Sequence, residues 1–225
     1  VGGQSVSLTQ TTEYPWNGEI AVEVNPRHEA EFEMRFRIPG WAVNQPVPSD
    51  LYEFENEFRP FYKIYVNGVE QGVALDRGFA SVRRKWNPGD LVKVELRMPV
   101  RRVLCSPLVD ANFNMVAMQR GPIVYCLEGV DNGNLQDFAV PAYTWGSCIM
   151  RPNSLGDKWE PNLLEGIVQV SGELVRLPAP NAPMPPSYFG APFPYPLQAM
   201  MAIPYFAWGH RGPNPMKVWV PGKLK

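Results

Sequence analysis

The sequence lacks an excess of charge of either sign, and it lacks any long apolar run. Its 225 residues include 21 Lys and Arg against 22 Asp and Glu, which leaves a net charge of −1. Because no basic stripe is present to neutralise phosphates, the chain is not expected to bind nucleic acid. No apolar run reaches the roughly 20 residues that a membrane-spanning helix requires, so a membrane partner is not expected either.

Histidine and cysteine, from which many metal and nucleophilic sites are built, are scarce. There are two His and three Cys. An odd number of cysteines cannot all form disulfides, and no close Cys-x-x-Cys spacing is present among Cys105, Cys126 and Cys148. We therefore expect buried free thiols, with a single disulfide in an oxidising compartment as the alternative. The sequence also contains no Gly-x-Ser-x-Gly elbow, phosphate loop or dinucleotide fingerprint. We therefore expect no cofactor and no metal in this chain.

The start of the sequence has neither an initiator Met nor a signal peptide, since it opens with Val1–Ser5. Such a start is expected of a segment taken from a longer protein. The location of the intact protein therefore cannot be inferred from this segment.

Proline and alternating apolar residues are what the sequence has in abundance. Its 25 Pro are about twice the usual share, which excludes a mainly helical fold. Apolar residues recur at every second position from Phe32 to Ile38 and from Val92 to Met98, as in strands with one buried face. Asn67-Gly68 supplies a hairpin turn. The pattern predicts an all-β fold built as an antiparallel β-sandwich.

The length allows two such units. We expect two packed sandwich subdomains with long, irregular, proline-rich loops, comprising residues 1–110 and 111–225. In the second subdomain, Ile167–Val170 and Leu174–Leu177 flank Ser171-Gly172, a pattern that predicts a hairpin.

Charged side chains with a special sequence context are few. Most carboxylates fall on the polar faces of alternating strands, where solvent exposure is the ordinary interpretation, and the same interpretation covers Arg101 and Arg102. Glu128 differs because it follows the unbroken apolar run Ile123–Leu127. A capping or salt-bridge role is favoured for it over that of a functional acid. The residues alone name no catalytic group.

The segment 205–213 holds the best candidates for a binding or contact site. Its glycines let the backbone bend sharply, so we expect Trp208, His210 and Arg211 to converge, with Tyr205 nearby in sequence. A structural corner with aromatic rings packed beneath it is the alternative.

A proline-rich stretch, residues 178–196, is too aromatic for a flexible linker, which would favour Gly and Ser. Such a segment is expected to be extended, semi-rigid and packed against another surface. Because aromatic residues are enriched at protein interfaces, the candidate interface residues are Tyr188, Phe189, Phe193 and Tyr195.

Three segments resemble one protein family. They are Tyr14–Gly18, the run Met118–Glu128 with its Gln-Arg-Gly-Pro corner, and Ala202–Pro213 with the string Ile-Pro-Tyr-Phe-Ala-Trp, which is followed by Met216–Val220. Together they resemble the C-terminal β-sandwich region of glycoside hydrolase family 127, the bacterial β-L-arabinofuranosidases, formerly a domain of unknown function. In that family the catalytic residues and a cysteine-rich zinc site lie in an α/α barrel that precedes this region.

The resemblance implies that this chain contains neither the catalytic residues nor the zinc. It implies the parent's own barrel as the main partner, with a homodimer and a carbohydrate as further candidates, and a periplasmic or cytoplasmic location in a bacterium. The leading hypothesis is a non-catalytic accessory region that supports the barrel and dimerisation. The alternatives are a carbohydrate-binding module for plant-type glycans and, well behind, an independent hydrolase.

Overall fold

The computed structural model describes residues 1–56, 59, 62–133, 135, 148–151, 154–176 and 197–222. The candidate interface residues Tyr188, Phe189, Phe193 and Tyr195 lie outside these ranges. Among the described residues, no helix is both long and apolar enough to cross a bilayer.

Short antiparallel strands dominate these ranges, with a single-turn helix α1 at Gly129–Asn132 and 3₁₀ turns at Gly40–Val43, Asp110–Asn112 and Tyr205–Ala207. The all-β prediction is confirmed. In chain order the strands are β1 (Val6–Thr12), β2 (Glu19–Pro26), β3 (Ala30–Arg37), β4 (Tyr52–Phe54), β5 (Tyr62–Val66), β6 (Val69–Glu70), β7 (Leu75–Asp76), β8 (Phe79–Trp86), β9 (Asp90–Leu96), β10 (Val100–Cys105), β11 (Met115–Arg120), β12 (Ile123–Glu128), β13 (Cys148–Met150), β14 (Gly156–Glu160), β15 (Ile167–Arg176), β16 (Leu197–Pro204), β17 (Met216–Lys217) and β18 (Val220–Pro221).

The chain forms two compact units. The first comprises Val1–Pro48 and Glu57–Pro99, and the second comprises Ser49–Asn56 and Val100–Lys225. The short segment Ser49–Asn56, which contains β4, thus interrupts the first unit in sequence and belongs to the second in space.

The first unit is an antiparallel sandwich of two sheets, with strand orders β1-β2-β9-β5-β6 and β3-β8-β7. Along β3 the apolar side chains are half-buried and the charged ones exposed, in strict alternation. Asn67 and Gly68 adopt φ values of 49° and 81° between β5 and β6, as a type I′ hairpin requires. The alternating strands and the predicted turn are therefore confirmed.

One carboxylate, Asp90, lies in the core of the first unit. It is 7% exposed and accepts hydrogen bonds from Asn67 Nδ2 at 2.8 Å and from the Asn87 backbone N–H at 2.9 Å. These contacts join the β5–β6 turn, which contains Asn67, to the β8–β9 turn, which contains Asn87. Around them the core is apolar, with Val24, Ile64 and Trp86 all fully buried.

The strands of the second unit form one branched sheet. Its main path is β13-β15-β16-β12-β11-β10-β4, and β14, β17 and β18 pair with β15, β12 and β11. Strands β11 and β12 meet in a two-residue turn, in which Gly121 has a φ of 55°. The apolar run predicts a strand that is buried on both faces. Residues Tyr125–Glu128 of β12 are 0% exposed, but Val124 is 39% exposed, so the strand is buried on both faces only over its second half.

The predicted hairpin at residues 167–177 is wrong, because β15 runs through Ser171-Gly172 as one continuous strand. Gly172 pairs with Met200 of β16. A Cβ atom at Gly172 would lie 2.8 Å from Met200 Cε and 2.9 Å from Leu155 Cδ2. The glycine therefore serves close packing within a strand, a role that glycine also has in sheets.

The predicted exposure of Arg101 and Arg102 is also wrong, since both are only 6% exposed. Arg101 donates from Nη2 to Asn56 O at 2.5 Å, and its guanidinium carbon lies 3.5 Å from the centroid of the Phe54 ring. Arg102 pairs with Glu55 at 3.0 Å and donates to Gly222 O. Together the two arginines hold the segment around β4 against β10.

Candidate functional site

The best-defined polar site in the described part of the second unit forms where β12 ends. The loop that leaves β16 begins beside β12, because Tyr125 pairs with Pro204. The loop returns beside the same strand, because Glu128 pairs with Met216. Residues 205–215, which we call the aromatic loop, therefore start and finish next to β12 and enclose its last residue, Glu128.

Two glycines shape the aromatic loop. Gly209 and Gly212 have φ values of 79° and 94°, a region that residues with a Cβ atom rarely adopt. The bends turn Arg211 inward, toward the end of β12. His210 stays exposed on the outside, with its Nδ1 atom 3.0 Å from Ala207 O.

Arg211 joins two carboxylates. Its Nε atom donates to Glu128 Oε2 at 3.0 Å, its Nη1 atom donates to Asp131 Oδ1 at 2.9 Å, and its Nη2 atom contacts both carboxylates. Asp131 is in α1, directly after β12. The arrangement is a forked guanidinium–carboxylate pair, the strongest kind of charge-assisted hydrogen bonding available to side chains.

Glu128 is the centre of this network and is fully buried. Its Oε1 atom accepts hydrogen bonds from the Gly209 backbone N–H at 2.8 Å and from Asn214 Nδ2 at 3.3 Å. One carboxylate thus binds three separate positions of the aromatic loop. The salt-bridge role favoured for Glu128 from the sequence is confirmed.

The electrostatics fix this network in its charged form. Burial alone would raise the pKa of Glu128, but the hydrogen bonds from Gly209, Arg211 and Asn214 together hold that pKa below its ordinary value. The hydrogen bonds of Asp131 raise the pKa of Arg211 against the effect of burial, with Glu128 adding to the rise. A general acid of a glycosidase needs a raised pKa, so the site favours an anchoring role for Glu128.

The outer side of the aromatic loop is apolar. Tyr205 is 44% exposed, Phe206 is 61% exposed and Trp208 is 45% exposed. We call these three rings the aromatic triplet. Tyr205 and Phe206 belong to the 3₁₀ turn Tyr205–Ala207, and Trp208 directly follows it. A short segment thus carries three large exposed rings on a backbone that is held from beneath by a buried ion pair.

The four site residues predicted from the sequence all belong to this loop, but they do not converge. Arg211 points inward to the carboxylates, whereas Tyr205, Trp208 and His210 lie on the exposed side. Sequence reasoning missed Phe206, the most exposed ring, although it stands within the Ile-Pro-Tyr-Phe-Ala-Trp string. It also missed Asp131 and Asn214, because no local pattern in the sequence marks them as partners of Arg211.

Within the described ranges, no group of three His, Cys, Asp or Glu side chains is placed to hold a metal ion. Cys126, in β12, is a free and fully buried thiol. Burial, assisted by the nearby Glu128, raises its pKa to about 12. A thiol in this state is a structural apolar side chain and not a nucleophile.

Two family models match the chain side by side. Residues 1–98 match the middle domain of the family 127 β-L-arabinofuranosidases, and residues 100–221 match the C-terminal domain of glycoside hydrolase family 127. The chain belongs to glycoside hydrolase family 127. The two matched domains meet at the same place as the two compact units, between Pro99 and Val100.

Known members of family 127 are similar over nearly the whole chain. A non-reducing end β-L-arabinofuranosidase of Bifidobacterium longum subsp. longum is 28% identical over 222 residues, which cover 95% of this chain and 30% of that protein. The crystal structure of a family 127 β-L-arabinofuranosidase from Geobacillus stearothermophilus T6 superposes with a TM-score of 0.77 at 35% identity, covering 99% of this chain and 31% of that one.

A second solved family 127 β-arabinofuranosidase has a TM-score of 0.77 at 32% identity and likewise covers 99% of this chain and 32% of its own. The chain therefore spans about a third of the length of the relatives that it matches.

Proposed function

We propose that this chain is the non-catalytic accessory region of a family 127 glycoside hydrolase, in which it supports a catalytic α/α barrel carried by the rest of a longer protein. The observation that carries the proposal is the role of Glu128. The one fully buried carboxylate among the described residues is fixed by Arg211 with a lowered pKa, so its chemistry is that of an anchor. The coverage of about 30% of the relatives' length also supports this role.

The surface that contacts the barrel is, in this proposal, the aromatic triplet. Aromatic side chains are enriched in the cores of protein interfaces, where they contribute a large contact area at a small cost in side-chain entropy. The ion pair beneath the triplet fixes the backbone before docking, which reduces the entropy lost on association.

Two further partners belong to the same proposal. The proline-rich segment 178–196, with its candidate residues Tyr188, Phe189, Phe193 and Tyr195, is proposed as a contact between two copies of the enzyme. The zinc expected in this family is proposed to reside in the barrel, and this chain contributes no ligand to it. A carbohydrate-binding module remains the second candidate function, because exposed aromatic rings also stack on sugar rings.

The experiment compares two tryptophans of the second unit within the longer protein. Trp208 is 45% exposed and Trp159, in β14, is 47% exposed, so the two offer nearly the same surface for truncation. We expect Trp208→Ala to lower arabinofuranosidase activity at least tenfold, and Trp159→Ala to change it less than twofold. Circular dichroism and the unfolding midpoint establish that both variants are folded.

The proposal also predicts the behaviour of separated parts. When the 225-residue chain is added to the separately produced remainder, Trp208→Ala should weaken the association and Trp159→Ala should not. Equal effects of the two variants on activity and on association would contradict a docking role for the aromatic triplet.

A further inference from the structure

A depression of about 380 Å³ lies on the first unit. Gln10 and Thr12 of β1, Tyr14, Ile20, Leu96 and Arg37 line it. Gln10 and Thr12 pair with Val22 and Ile20 of β2 and so lie on the sheet face that elsewhere forms the core. Both are nevertheless exposed, which leaves the inner face of this edge strand open as one wall of the depression.

The turn that carries Tyr14 is held by several side-chain hydrogen bonds. Thr12 Oγ1 accepts from the Tyr14 N–H at 3.0 Å and donates to Glu19 O at 2.8 Å. Asn17 Oδ1 accepts from the Glu19 N–H at 3.0 Å. At Gly18, a Cβ atom would lie 1.7 Å from Leu96 O, so this position accepts only glycine. The Tyr-Pro-Trp-Asn-Gly string is explained by this turn, which fixes the ring of Tyr14 at the depression.

The charged side of the depression is fixed as well. Arg37 Nη1 donates to Gly78 O at 2.8 Å and to Ile38 O at 3.1 Å, and a Cβ atom on Gly78 would collide with it at 1.7 Å. The guanidinium carbon lies 5.5 Å from the centroid of the Phe79 ring. Within the described ranges, the Nε and Nη2 atoms of Arg37 and the amide of Gln10 make no hydrogen bond, so they are available to a ligand.

We propose that this depression binds one ring of a neutral sugar, an arabinofuranoside unit of the glycan on which the enzyme acts. Tyr14 and Ile20 offer an apolar surface to the C–H face of a ring, and Leu96, which is 5% exposed, completes the apolar lining. Arg37 offers donors to the hydroxyl groups of the sugar, and the amide of Gln10 offers both a donor and an acceptor. Such a mixture of apolar lining and a few placed polar groups is typical of small-molecule sites. Because a water molecule takes about 30 Å³ in the liquid, a depression of about 380 Å³ has room for one arabinofuranoside unit of about ten non-hydrogen atoms together with bridging water.

The choice of an arabinofuranoside rests on the proposed function, since the sugar class comes from the family. The existence of the depression does not rest on the proposed function, because all of its lining residues belong to the first unit. A segment of the longer protein is the other occupant that such an apolar wall could take. The fixed donors and the small concave shape favour a single sugar ring over an extended polypeptide.

The test is a titration of the full 225-residue chain with methyl β-L-arabinofuranoside, followed by amide chemical shifts in ¹H–¹⁵N spectra. We expect saturable shifts confined to residues around Gln10, Tyr14, Arg37 and Leu96, with a dissociation constant on the order of 1 mM, a weak affinity fitting a single ring. Tyr14→Ala and Gln10→Ala should each weaken binding at least tenfold. Tyr65→Ala, which removes the same ring from the opposite face of the same sheet, should leave binding unchanged.

Three results of the titration would overturn the proposal. They are the absence of shifts well above that concentration, shifts that survive Tyr14→Ala, and shifts that cluster at Trp208 instead. Protection of the amides around Tyr14 from hydrogen exchange in the longer protein without sugar would also overturn it, since a protein segment would then occupy the site. The proposed function is tested separately, by the effect of Trp208→Ala on activity and association.

Discussion

The two units differ in how many charged or polar side chains their β-sheet cores bury and in how these side chains are paired. The first buries one charged or polar side chain among its described residues, Asp90, and satisfies it with turn residues on neighbouring strands. The second buries five such side chains, all of them in or directly after β10, β11 and β12: Arg101, Arg102, Gln119, Glu128 and Asn132. The charged ones among them are held by partners that are remote in sequence.

The difference teaches where specificity comes from in each unit. In the first, alternating apolar residues and turn chemistry select the strands, and the sheets follow from that pattern. In the second, buried charged side chains join segments that are distant in the chain. Glu128 and Arg211 are 83 positions apart, and Arg102 and Gly222 are 120 apart. Breaking a buried ion pair in the second unit should therefore cost far more than breaking a surface pair in the first.

The largest effect is expected from Glu128→Ala. Removal of one partner from a buried ion pair leaves the other charge uncompensated, which costs about 3–5 kcal/mol in the free energy of unfolding. Its counterpart in the first unit is Glu31→Ala, since Glu31 pairs with Arg83 at 3.3 Å with both side chains more than half exposed. That variant should cost under about 1 kcal/mol. The stability loss of each variant is measured by urea unfolding, with hydrogen exchange of peptides from each unit as the readout. Equal losses in the two variants would contradict the difference proposed between the two units.

Arg102→Ala is expected to come next. The cost should be about 2–3 kcal/mol, below that of Glu128→Ala because the partner Glu55 is 21% exposed and can be solvated after the loss. Exchange of the β4 amides should accelerate, because Arg102 helps to hold that segment. Arg83→Ala is the matched control in the first unit. A stability loss without faster exchange in β4 would show that the arginine does not hold the segment.

A smaller effect is expected from Gly172→Ala. The new methyl group would crowd Met200 and Leu155 at 2.8 and 2.9 Å, and such overpacking costs about 1–2 kcal/mol where side chains can shift. In the first unit, Gly72 has open space around its Cβ position, so Gly72→Ala should stay within about 0.5 kcal/mol of the wild type. Thermal unfolding of the two variants gives the difference; a neutral Gly172→Ala would mean that the strand adjusts freely.

The smallest effect concerns acid. Because the folded-state pKa of Glu128 is lowered, its contribution to stability is complete above the unfolded value of about 4.3 and is lost as the pH falls through the folded value. The stability difference between the wild type and Glu128→Gln should therefore shrink below about pH 4.

The acid prediction also separates the two units. Burial would raise the pKa of Asp90, but the hydrogen bonds from Asn67 and Asn87 lower it, so the first unit should keep its own acid sensitivity in Glu128→Gln. Unfolding midpoints measured across a pH series test this. A constant difference between wild type and variant at all pH values would contradict an ionised Glu128.

Local sequence pattern predicted the first unit well. The alternation along Phe32–Ile38 and Val92–Met98 and the Asn67-Gly68 turn are properties of neighbouring residues, and the strands follow them. The pattern failed where the second unit depends on remote contacts. Arg101 and Arg102 look like surface residues because the segment that buries them, around β4, precedes them by about fifty positions in the chain.

The candidate site shows the same limit. The aromatic string and the glycines of residues 205–213 marked the loop correctly, since both are local signals. The direction in which each side chain points depends on Glu128 and Asp131, which lie about eighty positions earlier. No spacing in the sequence reveals that Arg211 faces inward while Trp208 and His210 stay exposed.

The measurement that tests the central claim most directly is the hydrolysis of p-nitrophenyl β-L-arabinofuranoside by the purified 225-residue chain, beside the longer protein at equal molar concentration. We expect turnover by the longer protein and none above background by the chain alone, because its buried carboxylate is an anchor. Turnover by the chain alone that disappears in Glu128→Gln would contradict the accessory role and would make this chain an enzyme in its own right.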